Sequence, residues 1–315
     1  DRINRAPQSL GLIDLKPVIK LTEAGKKYIY GKRPEEIFLR QLLKVQFPSP
    51  FHIDTEMNFK IKPYLELMRL IYDFEGLSKA EIALFVIQLI DFNKYQNIKK
   101  KIEKFRLKKK TLRERRVSYK SYVQQIFREE LTKLYKLEIC NNNISTRESD
   151  EVSLEKFIRT KRSNHIDYAD AAIRYLRATG LFTLEPKSFK IITIKEKIKD
   201  LEYVLQHTPR DINVYKNDDE YKEYLFDAET PSLLTDDNKL LIQNILSKTS
   251  EYNKKTLGVK KIDELKDIYY GLVAEKLDQI IETEKKQLRT YTEYDAIIET
   301  FSEIEKREIA DPSLF

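Results

Sequence analysis

Two short stretches interrupt a pattern that is otherwise typical of helices, and the two resemble each other. The first covers residues 5–17 and the second residues 174–186. At a constant offset of 169 residues, an Arg, a Gly, two Leu and a Pro coincide, and an Ile stands opposite a Phe. Elsewhere, apolar residues recur mostly at helical spacing, and the 315 residues include only seven Gly and ten Pro. The chain is therefore predicted to be mainly α, with two small β elements.

Each stretch has the features of a helix that ends and gives way to a β-hairpin. Gly11 and Gly180 can adopt the left-handed conformation that a helix C-terminus needs. A short apolar strand, a turn with Pro and a second strand follow. A helix then restarts behind Thr22 in the first copy, and behind a Thr193-x-x-Glu196 capping box in the second. This order of helix, two-stranded wing and helix predicts a winged-helix-like unit at each place. The alternative is a pair of unrelated hairpins.

The second unit also carries the helices that would precede such a wing. A capping box, Ser78-x-x-Glu81, opens a helix, and basic helical sequence follows over residues 94–120. A polar stretch over residues 141–153 predicts a loop before a helix at 168–179.

The fold predicted is two winged-helix-like DNA-binding subdomains, mainly α with small β-hairpin wings, followed by a helical linker. The boundaries predicted are 1–75 for the end of the first recognition subdomain and the helices after it, 76–206 for the second, and 207–315 for the linker. The linker is predicted because acidic segments at helical spacing follow an irregular polar stretch.

Charge is distributed unevenly along the chain. The net charge is +7, but residues 200–315 hold 16 Lys/Arg and 26 Asp/Glu, a net of −10. Residues 1–199 hold the other 42 basic and 25 acidic residues, a net of +17. Concentrated positive charge releases counterions when it meets phosphates, so it favours a nucleic-acid partner. A solvated, Lys-rich surface is the alternative.

The densest basic run covers residues 99–120, with twelve Lys/Arg against two Glu. It predicts a helix pair that contacts phosphates and positions the protein without reading bases. A charge run of this kind can also be an ordinary solvated face. The phosphate-contacting candidates are Lys99, Lys100, Lys104 and Lys108.

A second cluster precedes and opens the helix that leads into the second wing. In a winged helix the N-terminal residues of that helix face base edges in the major groove, and Arg and Asn can pair with guanine and adenine. Asp167 is expected to be the helix N-cap, and His165 has a plain loop role as its alternative. The base-reading candidates are Arg159, Lys161, Arg162, Asn164, His165, Tyr168 and Arg174, and the parallel candidates in the first unit are Arg2, Asn4 and Arg5.

The sequence offers no catalytic or metal-binding constellation that withstands inspection. Two spacings resemble the Asp…Glu-x-Lys pattern of Mg²⁺-dependent nucleases, Asp211 with Glu220-x-Lys222 and Asp237 with Glu264-x-Lys266. One lies in polar sequence without a hairpin and the other in sequence of helical period, so both predict ordinary surface charges. The single cysteine excludes an internal disulfide, and no apolar run is long enough to span a bilayer. A reducing cytoplasm is expected.

Four segments, in this order, resemble the AlwI family of type II restriction endonucleases, which is similar to FokI in layout. They are TEAGKK at 22–27, RPEEIFLRQLLKVQFPS at 33–49, GLSKAEIA at 76–83 and DYADAAIRYLRATGLF at 167–182. The likeness extends over residues 1–200 and continues more weakly to the end. Arg33, Arg40 and Lys44 lie in the second segment, where they could touch backbone phosphates or equally hold helices together.

The resemblance implies a type IIS enzyme, in which winged helices read a short asymmetric site and a Mg²⁺-dependent nuclease domain cuts nearby. That nuclease domain is expected to follow the final Asp-Pro-x-Leu-Phe segment, so the chain is expected to be an inactive fragment that holds no cofactor. Double-stranded DNA is the expected partner, with a second nuclease subunit or a dimer for double-strand cleavage. The alternatives are a winged-helix regulator or replication initiator with a helical dimerisation region, and a helical scaffold with incidental charge.

Overall fold

The computed structural model describes residues 2–15, 18–51, 58–114, 118–146, 149, 152–185 and 188–288. It divides the chain into two compact units, Asp1–Leu234 and Thr235–Phe315, here called unit 1 and unit 2. The described residues are mostly helical, and two small antiparallel strand pairs interrupt them, as the sequence predicts. Unit 1 contains α1 (Arg2–Ser9), α2 (Glu23–Tyr30), α3 (Pro34–Lys44), α4 (Pro63–Asp73), α5 (Lys79–Leu84), α6 (Tyr95–Glu114), α7 (Tyr119–Leu134), α8 (Lys136–Cys140), α9 (Leu154–Ala178), α10 (Ile198–His207) and α11 (Asp218–Phe226).

The two strand pairs fall on the two related stretches of sequence. Strand β1 (Ile13–Asp14) pairs with β2 (Lys20–Leu21), and β3 (Phe182–Leu184) pairs with β4 (Ile191–Thr193), both antiparallel. In each copy the glycine two residues after the helix has positive φ, +66° at Gly11 and +68° at Gly180. The prediction of a glycine-ended helix followed by a hairpin is therefore confirmed at both places.

The helix restarts differ between the two copies. Thr22 caps α2 as predicted, because its hydroxyl accepts a hydrogen bond from the Gly25 amide at 2.9 Å. The predicted Thr193-x-x-Glu196 capping box is wrong. A 3₁₀ helix, Lys195–Lys197, begins after Ile194 there without a side-chain cap, and α10 follows it directly.

A third backbone segment extends the second strand pair. The amide and carbonyl of Leu77 bond to those of Ile191 on β4, at 3.0 and 2.8 Å. Leu77 lies just before α5, whose predicted capping box is present between Ser78 and Glu81. Nε of Arg106 on α6 donates to Oε1 of Glu81 at 2.6 Å. This bond fixes α6 to the start of α5.

A single apolar core runs through unit 1, with buried side chains from Leu10 to Leu233. The boundaries expected at residues 75 and 206 do not coincide with the division that the structure shows at 234. Residues 209–234 join unit 1 because polar side chains of α3 bind their backbone. Gln41 donates to the Leu225 carbonyl at 2.6 Å, and Arg40 donates to those of Glu229 and Pro231, both at 2.6 Å.

Unit 2 consists of three described helices with a small core of their own. They are α12 (Asn238–Leu246), α13 (Lys254–Gly258) and α14 (Ile262–Leu288). Asp237 caps α12 through the amides of Lys239 and Leu240. The core side chains are Leu241, Ile245, Leu257, Leu265, Tyr269 and Val273.

Candidate nucleic-acid interface

Helix α9 is longer and more continuous than the sequence predicts. It runs without a break over 25 residues and begins behind Ser153, whose hydroxyl accepts from the Lys156 amide at 3.2 Å. The expectation that Asp167 caps a helix is therefore wrong, since Asp167 lies in the middle of α9. Residues 159–164 are helical as well, so their side chains point in several directions around one axis.

The second half of α9 has one buried and one exposed face. Ala169, Ile173 and Leu176 are buried in the core of unit 1, whereas Tyr168 is 60% exposed. Asn164 lies one turn before Tyr168 and is exposed too. Arg174 is exposed on the same half of the helix and lies 3.4 Å from the Asp170 carboxylate. Asn164, Tyr168 and Arg174 are thus accessible to a partner.

The structure corrects the assignment of His165 to the DNA surface. His165 is only 5% exposed, and its Nδ1 lies 3.0 Å from the Ala83 carbonyl of α5. Because a carbonyl can only accept, Nδ1 carries the proton and donates. Burial lowers the pKa of His165, although the bond to Ala83 raises it. The imidazole is a packing group between α5 and α9.

The Lys161 side chain packs against two aromatic rings. Its ammonium lies over the rings of Tyr135 and Phe157, 4.7 and 5.0 Å from their centroids. Phe157 is buried, so the lysine covers an aromatic cluster at the junction of α8 and α9.

Arg159 and Arg162 line a cleft between α7 and α9. The cleft has a volume of about 290 Å³, and Arg128 of α7 lines it as well. No hydrogen bond or ion pair joins any of these three arginines to a described residue. Arg162 and Asn164 point about 160° apart around the helix, so the cleft and the Asn164 face are different surfaces. The remaining lining comes from Gln124, Phe127, Thr132, Leu154, Glu155 and Ile158.

This arginine cleft has the chemistry of an anion site. A guanidinium is always charged, and its forked donors match the oxygens of a phosphate. The carboxylate of Glu155 leaves an excess of two positive charges in the lining. Sequence reasoning missed Arg128 because it is the single arginine of α7, and nothing in its local sequence distinguishes it from an ordinary surface residue.

The basic run on α6 separates into structural and accessible lysines. Lys99 binds the Asp73 carboxylate at 2.7 Å, and Lys101 binds Glu130 at 2.6 Å. Lys100, Lys104 and Lys108 recur every fourth residue and are exposed. Lys108 lies over the Tyr122 ring at 5.7 Å, and no described residue pairs with Lys100 or Lys104. A stripe of accessible charge therefore runs along one face of α6.

The hairpins carry exposed apolar side chains where the chain turns back. Val18 and Ile19 before β2 are 72% and 59% exposed, and Phe189 before β4 is 49% exposed. Phe189 also has positive φ, +51°. The candidates Arg2, Asn4 and Arg5 belong to α1, and their side chains lie outside the described part of the chain.

Arg40 and Lys44, for which two roles stay open at the sequence level, hold segments together. Arg40 is 2% exposed and Lys44 is fully buried, and both donate to backbone carbonyls in residues 227–231. Neither is placed to meet a phosphate.

The Glu-x-Lys parts of the two nuclease-like spacings lie on helices. Glu220 and Lys222 belong to α11, and Glu264 and Lys266 belong to α14. Lys266 binds Asp236 at 2.9 Å. Within the described ranges, no three His, Cys, Asp or Glu side chains come together in a way that could hold a metal ion. None of the described helices has the length and apolar character that crossing a bilayer requires.

The fold and the cleft define a mainly helical protein with a basic, phosphate-compatible surface. The sequence matches the family of the AlwI restriction endonuclease over residues 8–312. Because the match covers nearly the whole chain, the protein belongs to the AlwI restriction endonuclease family.

Among solved structures, the chain is similar to the BpuJ1 endonuclease binding domain, seen in complex with pyrene- and phenanthrene-modified DNA. The identity is 16% and the TM-score is 0.41, with 72% of this chain and 74% of that chain covered. No curated protein matches the sequence.

Proposed function

We propose that unit 1 is the part of a type IIS restriction endonuclease that recognises double-stranded DNA. The arginine cleft holds the phosphate backbone, the stripe on α6 adds phosphate contacts, and the exposed face of α9 around Asn164 and Tyr168 reads base edges. A winged-helix-like unit is formed by α4, the segment at Leu77, α5, α9 and the strand pair β3–β4.

One observation carries this proposal: three arginines without a described partner line one cleft between α7 and α9, and the opposite side of α9 presents Asn164. Like charges left together repel one another, and neutralisation by an anion removes that cost. Phosphate contacts fix the register of a protein on a duplex, and base contacts supply the sequence information. Arg128, Arg159 and Arg162 fit the first role, and Asn164 fits the second.

The test begins with selection of bound duplexes from a randomised pool at about physiological salt, where non-specific binding is weak. An asymmetric motif of a few base pairs is expected. A palindromic motif would favour the alternative of a dimeric regulator, and no enrichment at all would refute DNA recognition.

Variants then separate the two roles. Arg128→Gln and Arg162→Gln are expected to weaken all sequences alike and to reduce the salt dependence by about one unit of slope each. Asn164→Ala is expected to cost about 1–3 kcal/mol of discrimination at one base pair. Lys255→Gln, an exposed position of unit 2, is the control for loss of one charge. If Asn164→Ala and Arg162→Gln behaved alike, the division of roles would be wrong.

The whole enzyme is proposed to hydrolyse phosphodiesters with Mg²⁺ at a fixed distance from its site, with a second nuclease subunit or a dimer for double-strand cleavage. No Mg²⁺ ligand set is assigned to the described residues, which bring no such cluster together. The test is cleavage of a duplex that carries the selected motif, with and without Mg²⁺. A nick or cut at one fixed offset supports the type IIS assignment, and cleavage inside the motif contradicts it.

A further inference from the structure

A second, apolar cavity opens beside α9, on the side of Tyr168. It has a volume of about 370 Å³, and α4, α9 and the segment after α5 contribute to its walls. This lies within the range of roughly 300–1,000 Å³ found for small-molecule sites, and a cavity of about 150 Å³ already holds a benzene ring. Its aromatic lining is Phe47, Phe59, Tyr64, Tyr168, Tyr175 and Tyr221.

The lining combines flat rings with two tyrosine hydroxyl groups, those of Tyr64 and Tyr175, that have no described partner. The rings of Tyr64 and Tyr175 lie 6.0 Å apart at an interplanar angle of 50°. Neither hydroxyl forms a hydrogen bond with a described residue. Burial, with a contribution from Tyr175, raises the pKa of Tyr64, so its hydroxyl keeps the proton that it can donate.

Tyr168 connects this cavity to the surface that the proposed function assigns to DNA. Its side chain lines the cavity and is at the same time 60% exposed, one turn from Asn164. A nucleobase that rotates out of a duplex bound to this face of α9 would therefore lie at the entrance of the cavity. Flat rings with polar edges are what a tyrosine-lined pocket binds by stacking and hydrogen bonds.

We propose that this cavity, called the tyrosine pocket, receives one nucleobase that unit 1 extracts from the bound duplex. Tyr168 and Tyr175 contact the base, and the hydroxyls of Tyr64 and Tyr175 bond its polar edge. The inference rests on the proposed function, because it needs a duplex on the exposed face of α9.

The experiment uses the full chain and duplexes that carry the selected motif. At each position in turn, the partner of one base is replaced by an abasic residue, which removes the pairing that extraction must break. One position is expected to bind about tenfold more tightly, equivalent to about 1.4 kcal/mol. Equal affinity at every position would overturn the inference, whereas absence of any selected motif would instead refute the proposed function.

Two variants test whether the gain depends on the tyrosine pocket. Ala172→Phe fills the cavity and Tyr64→Phe removes one hydroxyl, and both are expected to abolish most of the tenfold gain. The matched controls are Ala178→Phe, an exposed position on α9, and Tyr72→Phe, whose hydroxyl on α4 binds Glu202 at 2.8 Å away from the pocket. Should the filled variant fold normally and keep the gain, the base would be held elsewhere.

Titration of the four free deoxynucleosides by calorimetry separates the two sources of such a ring. Weak nucleoside binding that Ala172→Phe abolishes, together with the position-specific gain on DNA, supports the inference. Nucleoside binding without any responsive position in DNA would assign the tyrosine pocket to a free ligand and overturn the proposal.

Discussion

At the scale of single residues, the buried cations Arg40 and Lys44 stabilise unit 1. From the sequence alone, they could equally have contacted DNA. Lys44 is fully buried and donates to the Gln41 amide oxygen at 3.0 Å and to the Asp227 carbonyl. Burial lowers its pKa to about 8, although the Asp227 carboxylate raises it. In the unfolded chain the ordinary value of 10.5 applies.

The pH dependence of stability follows from that difference. Between pH 8 and 10.5 the unfolded chain holds a proton that the folded chain has released, so a rise in pH favours folding through Lys44. Lys44→Met is expected to cost about 1–3 kcal/mol at pH 7, because it leaves buried acceptors without a donor. Urea unfolding from pH 7 to 10 should show the gap to the unsubstituted protein widening above pH 8. A gap that narrows would contradict the assigned shift.

His165 gives a prediction of the same sign on the acid side of neutral pH. Its lowered pKa means that, as the pH falls below about 6.5, the unfolded chain takes up a proton that the folded chain resists. The unsubstituted protein should therefore lose stability relative to His165→Gln between pH 6.5 and 5, as followed by thermal unfolding. At pH 7.5, His165→Gln should leave sequence discrimination unchanged, in contrast to Asn164→Ala.

Local sequence predicts some of these roles and not others. The capping oxygen of Ser78 and the positive φ of Gly11 and Gly180 follow from residue type and neighbours, and both are confirmed. Whether Arg40 or Arg162 meets solvent depends on segments up to about 190 residues distant in sequence, such as the carbonyl of Pro231. A count of basic residues therefore overstates the charge that a partner can reach.

At the scale of elements, each hairpin is preceded by a glycine of positive φ, Gly11 or Gly180, and the two glycines have different neighbours. A Cβ at Gly180 would meet only Glu35, at 3.5 Å, whereas one at Gly11 would lie 2.5 Å from the Leu225 carbonyl and 2.6 Å from its side chain. Gly180→Ala should cost only the left-handed strain of about 1–2 kcal/mol. Gly11→Ala should cost about 1–3 kcal/mol more, since the backbone near Leu225 must move. Equal losses of free energy of unfolding would show that the two turns relax alike.

The stripe on α6 makes a prediction about salt. Replacing Lys100 and Lys104 together by alanine should lower the slope of log affinity against log salt by about two units, on any sequence, since each lost phosphate contact changes it by about 0.9. The control pair is Lys99→Ala with Lys101→Ala, which removes the same charge but breaks bonds to Asp73 and Glu130. That pair should lower the melting temperature and leave the slope unchanged. The reverse pattern would mean that the stripe is only a solvated face.

At the scale of the whole molecule, the linker is predicted to begin at residue 207, and the division into compact units falls at residue 234. The acidic, irregular region that begins near residue 207 suggests a linker. Its first part nevertheless folds onto unit 1, because Gln41 and Lys44 bind its backbone, and Arg210 binds the buried Glu66 carboxylate at 2.6 Å. These bonds join distant residues, so no local pattern reveals them.

The two units have separate apolar cores, one from Leu10 to Leu233 and one from Leu241 to Val273, and so should unfold as two cooperative steps. A duplex that binds only unit 1 stabilises only that step, by about 2.7 kcal/mol when its free concentration is 100 times the Kd. Scanning calorimetry of the full chain should therefore show one transition that rises with the selected duplex and one that does not move. If both rose together, unit 2 would take part in DNA binding despite its acidic charge, and the proposed confinement of recognition to unit 1 would be wrong.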